Sequence, residues 1–256
     1  MISIIRKPIK VSEIDFVFFD KGGTLSYQVP HPDGGVEASA KIMDFLGYHG
    51  DPLEFRKQLK ERNKQYKDWS LSSCYEDTVE DICTKWLFFD APDRQKVLDH
   101  ADQLVIMASY AKGARLMYPE TTPLIKELKN RGYRLGLISN TVSLSMVPRE
   151  LKEADIEGDL ELVVMSSEER LRKPDPAIFL LACERAGVTP EHSIYIGDAP
   201  NRDVEGPRRA GFYAVIVVKG EKYDPATDKG PMREPDILTD SLKDIYDLLP
   251  SRGAAS

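Results

Sequence analysis

The 256-residue sequence predicts an α/β fold, in which a doubly wound and mostly parallel sheet carries an inserted all-helical domain. Short apolar runs alternate with helical patterns along most of the chain, which is typical of parallel strands buried on both faces. A stretch of roughly ninety residues behind the first run has long helical patterns and no convincing buried strand, and its length is that of a small domain. These two observations together predict a two-part α/β protein.

The core is predicted from five strands and the helices between them. The strands are Ile14–Phe19, Tyr133–Ile138, Leu160–Met165, Ser193–Ile196 and Tyr213–Val218. Helical patterns over residues 119–132, 176–187 and 203–211 precede the second, fourth and fifth strands. Gly132 is placed to close the first of these helices, because glycine accepts the left-handed conformation that follows a helix. The alternation predicts a Rossmann-like core with helices on both faces.

The inserted domain is predicted from three helical patterns, over residues 35–50, 51–69 and 73–89. They lie between the first core strand and the next core helix. We therefore expect the core to comprise residues 1–26 and 116–256, and the helical insertion to comprise residues 27–115.

Composition limits the classes of partner. The net charge of −7 argues against a nucleic-acid partner, which usually requires a basic surface. The sequence has neither an apolar run of eighteen residues nor the apolar core of a signal peptide, so we expect no membrane span. Three cysteines without a CxxC pair favour reduced thiols in a cytoplasmic protein.

Polar residues follow the predicted strands where parallel strands would end at one edge of the sheet. Asp20 follows the first strand, Ser139 and Asn140 end the second, and Asp198 follows the fourth. Because ligands bind at the carboxyl ends of such strands, we expect these side chains to form one site. Two further residues complete the set, Lys173 before a helix and Asp203 five residues after Asp198. Paired carboxylates suit Mg²⁺, and a lysine beside them offsets repulsion between an anionic nucleophile and an anionic substrate.

Four segments carry a family resemblance: FFDKGGTL, LISN, RKPDPAIF and YIGDAPNRD. In this order they resemble the four motifs of the haloacid dehalogenase superfamily, and the resemblance covers nearly all of the core. The insertion is similar to the helical cap of those members that have a cap after the first motif.

The resemblance implies roles for individual residues. Asp20 is then the nucleophile that forms an aspartyl-phosphate. Thr24 and Ser139 orient the phosphoryl oxygens, Lys173 neutralises charge, and Asn140 supports its motif or reaches the substrate.

The resemblance also implies a metal site. Asp20 and Asp198 then bind Mg²⁺ together with the backbone carbonyl of Gly22. Asp203 lies in the outer shell of this site or reaches the ion through water, and Asn201 is a weaker candidate.

Gly22 departs from the pattern of the superfamily's phosphatases, which usually carry an aspartate two residues after the nucleophile. That aspartate protonates the leaving oxygen and then activates water, and glycine has no side chain for either step. In a phosphatase another group, for instance one from the cap, would supply the proton instead, and His31, His49 and Asp33 are candidates. We expect a Mg²⁺-dependent phosphohydrolase that acts on a small phosphorylated metabolite.

Three alternatives remain open at this point. One is a carbon–phosphorus hydrolase resembling phosphonoacetaldehyde hydrolase, in which a cap lysine forms a Schiff base; Lys57, Lys60 and Lys64 share one predicted helix face. Another is a metal-free 2-haloacid dehalogenase, from which the sequence departs at Gly22, at Asp198 and at Phe179, where that branch has a tyrosine. The last is a catalytically weakened binding or regulatory module.

Overall fold

A computed structural model describes residues 1–220 and 232–252. Its strands in these ranges are β1 (Ser3–Ile4), β2 (Phe16–Phe19), β3 (Ser26–Val29), β4 (Ala114–Met117), β5 (Arg134–Ser139), β6 (Leu162–Met165), β7 (Ser193–Gly197), β8 (Ala214–Val218) and β9 (Ile237–Thr239). Seven of them form one sheet in the order β1-β9-β8-β7-β2-β5-β6. Neighbouring strands are parallel except β1 and β9 at one edge, which are antiparallel. The predicted α/β class is confirmed.

The five predicted strands correspond to β2, β5, β6, β7 and β8, and each begins within two residues of its predicted start. β1 and β9 were not predicted, because strands of two and three residues leave no readable pattern. All four residues of β2 are fully buried, as expected for a central strand covered on both faces.

The helices described are α1 (Val36–Leu46), α2 (Pro52–Ser73), α3 (Val79–Asp81), α4 (Arg94–Asp99), α5 (Ala101–Tyr110), α6 (Thr121–Asn130), α7 (Met146–Glu153), α8 (Ser166–Glu169), α9 (Pro176–Ala186), α10 (Glu205–Ala210) and α11 (Ile245–Leu248). Two π-helical turns, Ile82–Leu87 and Pro200–Val204, follow α3 and precede α10. None of the helices in the described ranges is long and apolar enough to cross a membrane.

Helices cover both faces of the sheet. Val17 and Phe19 of β2 pack into a cluster with α6, α7 and α11, whereas Phe16 and Phe18 pack with α9. Successive side chains of a strand point to opposite faces, so this one strand anchors both layers of the core. Because β5 and β7 both pair parallel to β2, the carboxyl ends of the three strands lie side by side at one edge of the sheet.

Helices α1–α5 form the insertion, which has its own apolar cluster around Ile42, Leu59 and Leu104. The predicted limits of this insertion, residues 27 and 115, fall inside β3 and β4, which pair as an antiparallel ribbon. The ends of the insertion are therefore strands, and the prediction that it is helical throughout is wrong there. We propose this ribbon as the boundary between core and cap.

The helix predicted over residues 73–89 is wrong at its start. The chain is extended after Cys74, and Tyr75 forms an antiparallel bridge with Leu171 of the core. Helix α3 begins only at Val79, because backbone bonds from the core take up the segment before it. Tertiary contacts override local propensity here.

Lys21 lies between Asp20 and Gly22, and its side chain is buried under the first motif. It forms an ion pair with Glu150 of α7, and its Nζ also donates to Ser26 Oγ at 3.4 Å. Burial lowers the pKa of Lys21, although Glu150 opposes that shift. This pair joins the loop after Asp20 to the helix layer beneath it.

We expect Glu150→Ala to lower the free energy of unfolding by about 3–5 kcal/mol, because it leaves a buried lysine without its counter-charge. Urea unfolding measures the effect, and Glu153→Ala, at an exposed position of the same helix, is the matched control. Lys21→Met combined with Glu150→Leu should recover most of the loss. Equal stability of Glu150→Ala and Glu153→Ala would show that the pair does not stabilise the loop.

Candidate active site

A cavity of about 480 Å³ opens at the carboxyl edge of the sheet. Asp20 follows β2 directly, Ser139 is the last residue of β5, Asp198 follows β7, and Lys173 lies in the loop before α9. All four line this cavity. The structure therefore brings together four of the residues that the sequence singles out.

Lys173 is the centre of the polar contacts. Its side chain is 1% exposed, and its Nζ donates to Asp20 Oδ1 at 2.7 Å, to Tyr195 OH at 2.7 Å and to Asp203 Oδ1 at 2.8 Å. An ammonium group has three N–H donors, so these three contacts use all of them. Lys173 is therefore held as a fixed positive charge against Asp20.

Two residues hold Lys173 in this position. Asn140 Nδ2 donates to the Lys173 carbonyl, and the Lys173 N–H donates to Asn140 Oδ1, both at 3.0 Å. Both amide atoms of Asn140 are engaged in this way, which fits the predicted supporting role better than contact with substrate. Tyr195 was missed by the sequence analysis; its OH donates to the Ile138 carbonyl at 3.2 Å. Burial, with the charges of Asp203 and Asp20, raises the pKa of Tyr195, so the hydroxyl stays protonated.

Three carboxylates gather beside this lysine. One oxygen from each of Asp20, Asp198 and Asp203 lies within 4.8 Å of the others, a spacing that suits one cation. Asp203 is fully buried, and its Oδ2 accepts the backbone N–H groups of Asp198 at 3.3 Å and Ala199 at 3.0 Å. Burial alone would raise the pKa of Asp203, but Lys173 and Arg202 hold it below its usual range. Asp203 therefore positions Lys173 and the turn after β7, in keeping with its predicted outer-shell place.

The glycine before Asp198 is required by this packing. A Cβ added at Gly197 would lie 2.3 Å from Asp203 Cβ, closer than real contacts allow. The Gly-Asp pair in the sequence thus reflects the close approach of Asp203 to the end of β7.

Three of the predicted motif residues do not line the cavity, namely Asp203, described above, Thr24 and Asn201. Thr24 is fully buried, and its Oγ1 has no hydrogen-bond partner in the described ranges. It does not line the cavity, so its burial does not support direct contact with phosphoryl oxygens. Asn201 is exposed and is also absent from the lining.

Gly22 lines the cavity beside Asp20 and leaves side-chain space open. A Cβ placed there would lie 3.9 Å from Arg115 Nη1, which is ordinary contact. A larger residue is therefore not excluded by space. The guanidinium of Arg115, on β4, borders the place where the superfamily's phosphatases carry their acid.

The cap contributes a cationic wall to the cavity, formed by Lys67, Lys112 and Arg115. Lys112 Nζ donates to Asn63 Oδ1 at 2.8 Å. Burial and the nearby charges of Lys67 and Arg115 lower the pKa of Lys112 to about 7. No sequence pattern marks this lysine, because it lies in the turn between α5 and β4.

The cap residues that the sequence suggested are elsewhere. His31, His49 and Asp33 do not line the cavity; Asp33 accepts the Gly35 N–H at 2.9 Å and, in the first turn of α1, the Glu37 N–H at 2.7 Å. Lys57, Lys60 and Lys64 are on the solvent face of α2. Lys57 and Lys64 form ion pairs with Glu54 and Asp68 of the same helix. The predicted replacement acid and the predicted Schiff-base lysines are therefore not at the site.

Glu76 of the cap is fully buried against the core. It accepts from Ser166 Oγ at 2.6 Å and is also contacted by Arg172 and by the hydroxyl of Tyr66. Arg172 lines the cavity and directly precedes Lys173. The contacts of Glu76 thus fasten the cap next to the loop that carries Lys173.

The geometry defines an α/β protein with a helical insertion, in which a carboxylate and a lysine meet at the carboxyl edge of the sheet. A model of the haloacid dehalogenase-like hydrolase family matches residues 14–211. The chain belongs to this family.

Similar proteins include two phosphatases. Over 132 residues the chain is 30% identical to a glyceraldehyde 3-phosphate phosphatase of Methanopyrus kandleri, covering 52% of this chain and 56% of that protein. Over 130 residues it is 33% identical to a phosphoserine phosphatase of Thermus thermophilus, covering 51% and 50%. The chain spans about half the length of the curated relatives it matches.

A solved structure shares the fold. The 2-haloacid dehalogenase of Pseudomonas syringae has a TM-score of 0.63 and 24% identity, and the match covers 92% of this chain and 98% of that one. The similarity shows the fold alone and does not separate dehalogenases from phosphatases.

We expect Glu76→Gln to loosen the cap at its contact with the core, because Arg172 loses its buried anionic partner. Hydrogen exchange of two amides that bond across this contact, Glu76 to the Arg170 carbonyl and Arg172 to the Cys74 carbonyl, should become faster. Glu80→Gln, at an exposed position of α3, is the control. Unchanged protection of both amides in Glu76→Gln would contradict a fastening role for this carboxylate.

Proposed function

We propose that the protein is a Mg²⁺-dependent phosphohydrolase that uses Asp20 as its nucleophile and acts on a small phosphorylated metabolite. The observation that carries this proposal is the Lys173 ammonium held between Asp20 and Asp203, beside Asp198. A carboxylate fixed by a positive charge beside a cluster of oxygen ligands is equipped to attack an anionic phosphorus centre. The phosphatases among the similar proteins support the same conclusion.

The donor set fits Mg²⁺, which binds oxygen ligands and usually keeps several waters. Asp20, Asp198 and the backbone carbonyl of Gly22 would hold the ion, with Asp203 behind them. When bound, the ion would neutralise charge on the phosphoryl oxygens and orient them. Lys173 and Arg202 balance part of the carboxylate charge: burial alone would lower the pKa of Arg202, but Asp203, Asp20 and Asp198 raise it.

Each of these residues then has a separate role in phosphoryl transfer. Lys173 fixes the Asp20 carboxylate through Oδ1. An Asp20 oxygen bonds to phosphorus as the bond to the leaving oxygen breaks, and the Ser139 hydroxyl contacts a phosphoryl oxygen. Water then attacks phosphorus, the bond to Asp20 breaks, and inorganic phosphate leaves. The cap excludes bulk water during both steps.

The alternatives are less well supported. A metal-free dehalogenase has no use for the Asp198 carboxylate in a cluster with Asp20. A binding module has no need for a lysine whose three donors are committed at the nucleophile. The lysines suggested for a carbon–phosphorus hydrolase face solvent.

Beryllium fluoride tests the nucleophile, because it forms a phosphoryl-like adduct with a carboxylate. We expect wild type to bind it tightly only when Mg²⁺ is present, and Asp20→Asn to lose that binding. Titration calorimetry measures both, with Asp44→Asn at an exposed position of α1 as the control. Absence of binding to wild type in the presence of Mg²⁺ would overturn the proposed function.

A further inference from the structure

Glycine at position 22 leaves the core side of the site without the general acid that assists phosphate ester hydrolysis. An alkoxide is a poor leaving group unless it is protonated as it departs, and general acid help is worth roughly 10²–10⁴ in rate. Position 22 cannot supply the proton, because it is glycine. Arg115 borders that position, but a guanidinium does not give up its proton at neutral pH.

Lys112 is the cavity-lining group best suited to this role. It lines the same cavity as Asp20 and Gly22, on the cap side. Its Nζ is held by Asn63 Oδ1 at 2.8 Å, so its direction is fixed by a neutral acceptor and not by a carboxylate. It lies three residues before Arg115, whose Nη1 is 3.9 Å from the Cβ position that Gly22 lacks.

We propose that Lys112 is the general acid and base of this site. Its ammonium protonates the leaving oxygen while Asp20 attacks phosphorus, and the resulting neutral amine then accepts a proton from the water that cleaves the aspartyl-phosphate. The second transfer restores the ammonium, so the protons balance over one turnover. This inference rests on the proposed phosphohydrolase function.

The surroundings of Lys112 suit both transfers. Burial lowers its pKa to about 7, and the charged groups that add to this shift, Lys67, Arg115 and Arg56, are all cations. A group whose pKa lies near the working pH is protonated often enough to act as an acid and is basic enough to take the proton back. A lysine with its ordinary pKa would be a weaker acid in the first step, because it would hold its proton more firmly.

This arrangement widens the substrate class. A site with Gly22 and no other acid would be limited to leaving groups that need little protonation, such as acyl or aryl phosphates. With Lys112 as the acid, alkyl phosphates become substrates. Wild type should therefore turn over ethyl phosphate within about an order of magnitude of p-nitrophenyl phosphate, instead of the 10²–10⁴ deficit of an acid-free site.

Lys112→Arg and Lys112→Met test the role, since the first keeps the charge without a transferable proton and the second removes both. For each we expect kcat/KM with ethyl phosphate to fall about 10²–10⁴-fold. With p-nitrophenyl phosphate, kcat/KM should fall less than about tenfold, and a burst of p-nitrophenol should precede slow turnover, because water attack on the intermediate has lost its base. Lys64→Met, on the solvent face of α2, is the matched control and should change neither value.

The pH profile gives a readout that a structural role would not move. Lys112 must carry its proton to act as the acid, so kcat/KM with ethyl phosphate should decline as the pH rises above about 7. The p-nitrophenyl substrate should lack this decline. Arg115→Met removes one of the cations that lower the pKa, so the decline with ethyl phosphate should move to higher pH.

The outcomes separate this inference from the function on which it rests. If kcat/KM falls equally for both substrates in Lys112→Arg, while the variant still binds beryllium fluoride at Asp20, the acid–base role is overturned. The proposed phosphohydrolase function then stands. If wild type hydrolyses neither ester and binds no beryllium fluoride, both proposals fail together. Labelling of Lys112 by borohydride in the presence of phosphonoacetaldehyde would overturn the role in favour of a Schiff base.

Discussion

The site depends on one buried ammonium group. Lys173 Nζ has three donors, and Asp20, Tyr195 and Asp203 accept all three. Leaving any of these buried partners without its hydrogen bond carries a large free-energy cost, so each fixes the others. Asn140 holds the lysine's backbone, and Gly197 makes room for Asp203. Neighbouring strand ends are thereby tied to one charge, which is why the Asp20 carboxylate has a defined position.

The cap acts on the same site from the other side. Its ribbon of β3 and β4 starts four residues after Gly22 and returns through Arg115, so the ribbon at the base of the cap is also a wall of the cavity. Glu76 fastens the cap to Arg172, beside Lys173. Lys112 of the cap lines this cavity, whose core side has glycine at the position of the usual acid. Under the proposals made above, proton transfer belongs to the inserted domain, while attack and charge neutralisation belong to the core.

Much of this arrangement could be predicted from the sequence. The apolar runs indicate the central strands because these are buried on both faces, and the polar residues behind them indicate the site because parallel strands end at one edge. Asp20, Ser139 and Asp198 follow from that rule alone, whereas Lys173 is identified from the segment before a helix. Tyr195 does not, since a tyrosine within an apolar strand is indistinguishable from core packing until its hydroxyl is seen next to a lysine.

The cap contribution could not be predicted in the same way. Lys112 lies in a turn without periodicity, and Glu76 lies where the pattern over residues 73–89 predicts a helix that does not form. The environments of both depend on contacts with residues distant in sequence. Lys57, Lys60 and Lys64 show the converse error, because regular spacing on a helix identifies a shared face but not whether that face meets the core or solvent. Thr24 is a milder case: it lies in the first motif, yet it is turned into the interior.

The central claim is covalent attack by Asp20, and peptide mapping after rapid acid quench tests it most directly. With p-nitrophenyl phosphate and Mg²⁺, the account predicts one phosphoryl group on the peptide that contains Asp20, present during turnover and absent once substrate is exhausted. Release of phosphate by the active enzyme with no phosphorylated peptide at any time, or with the phosphoryl group on another residue, would contradict it.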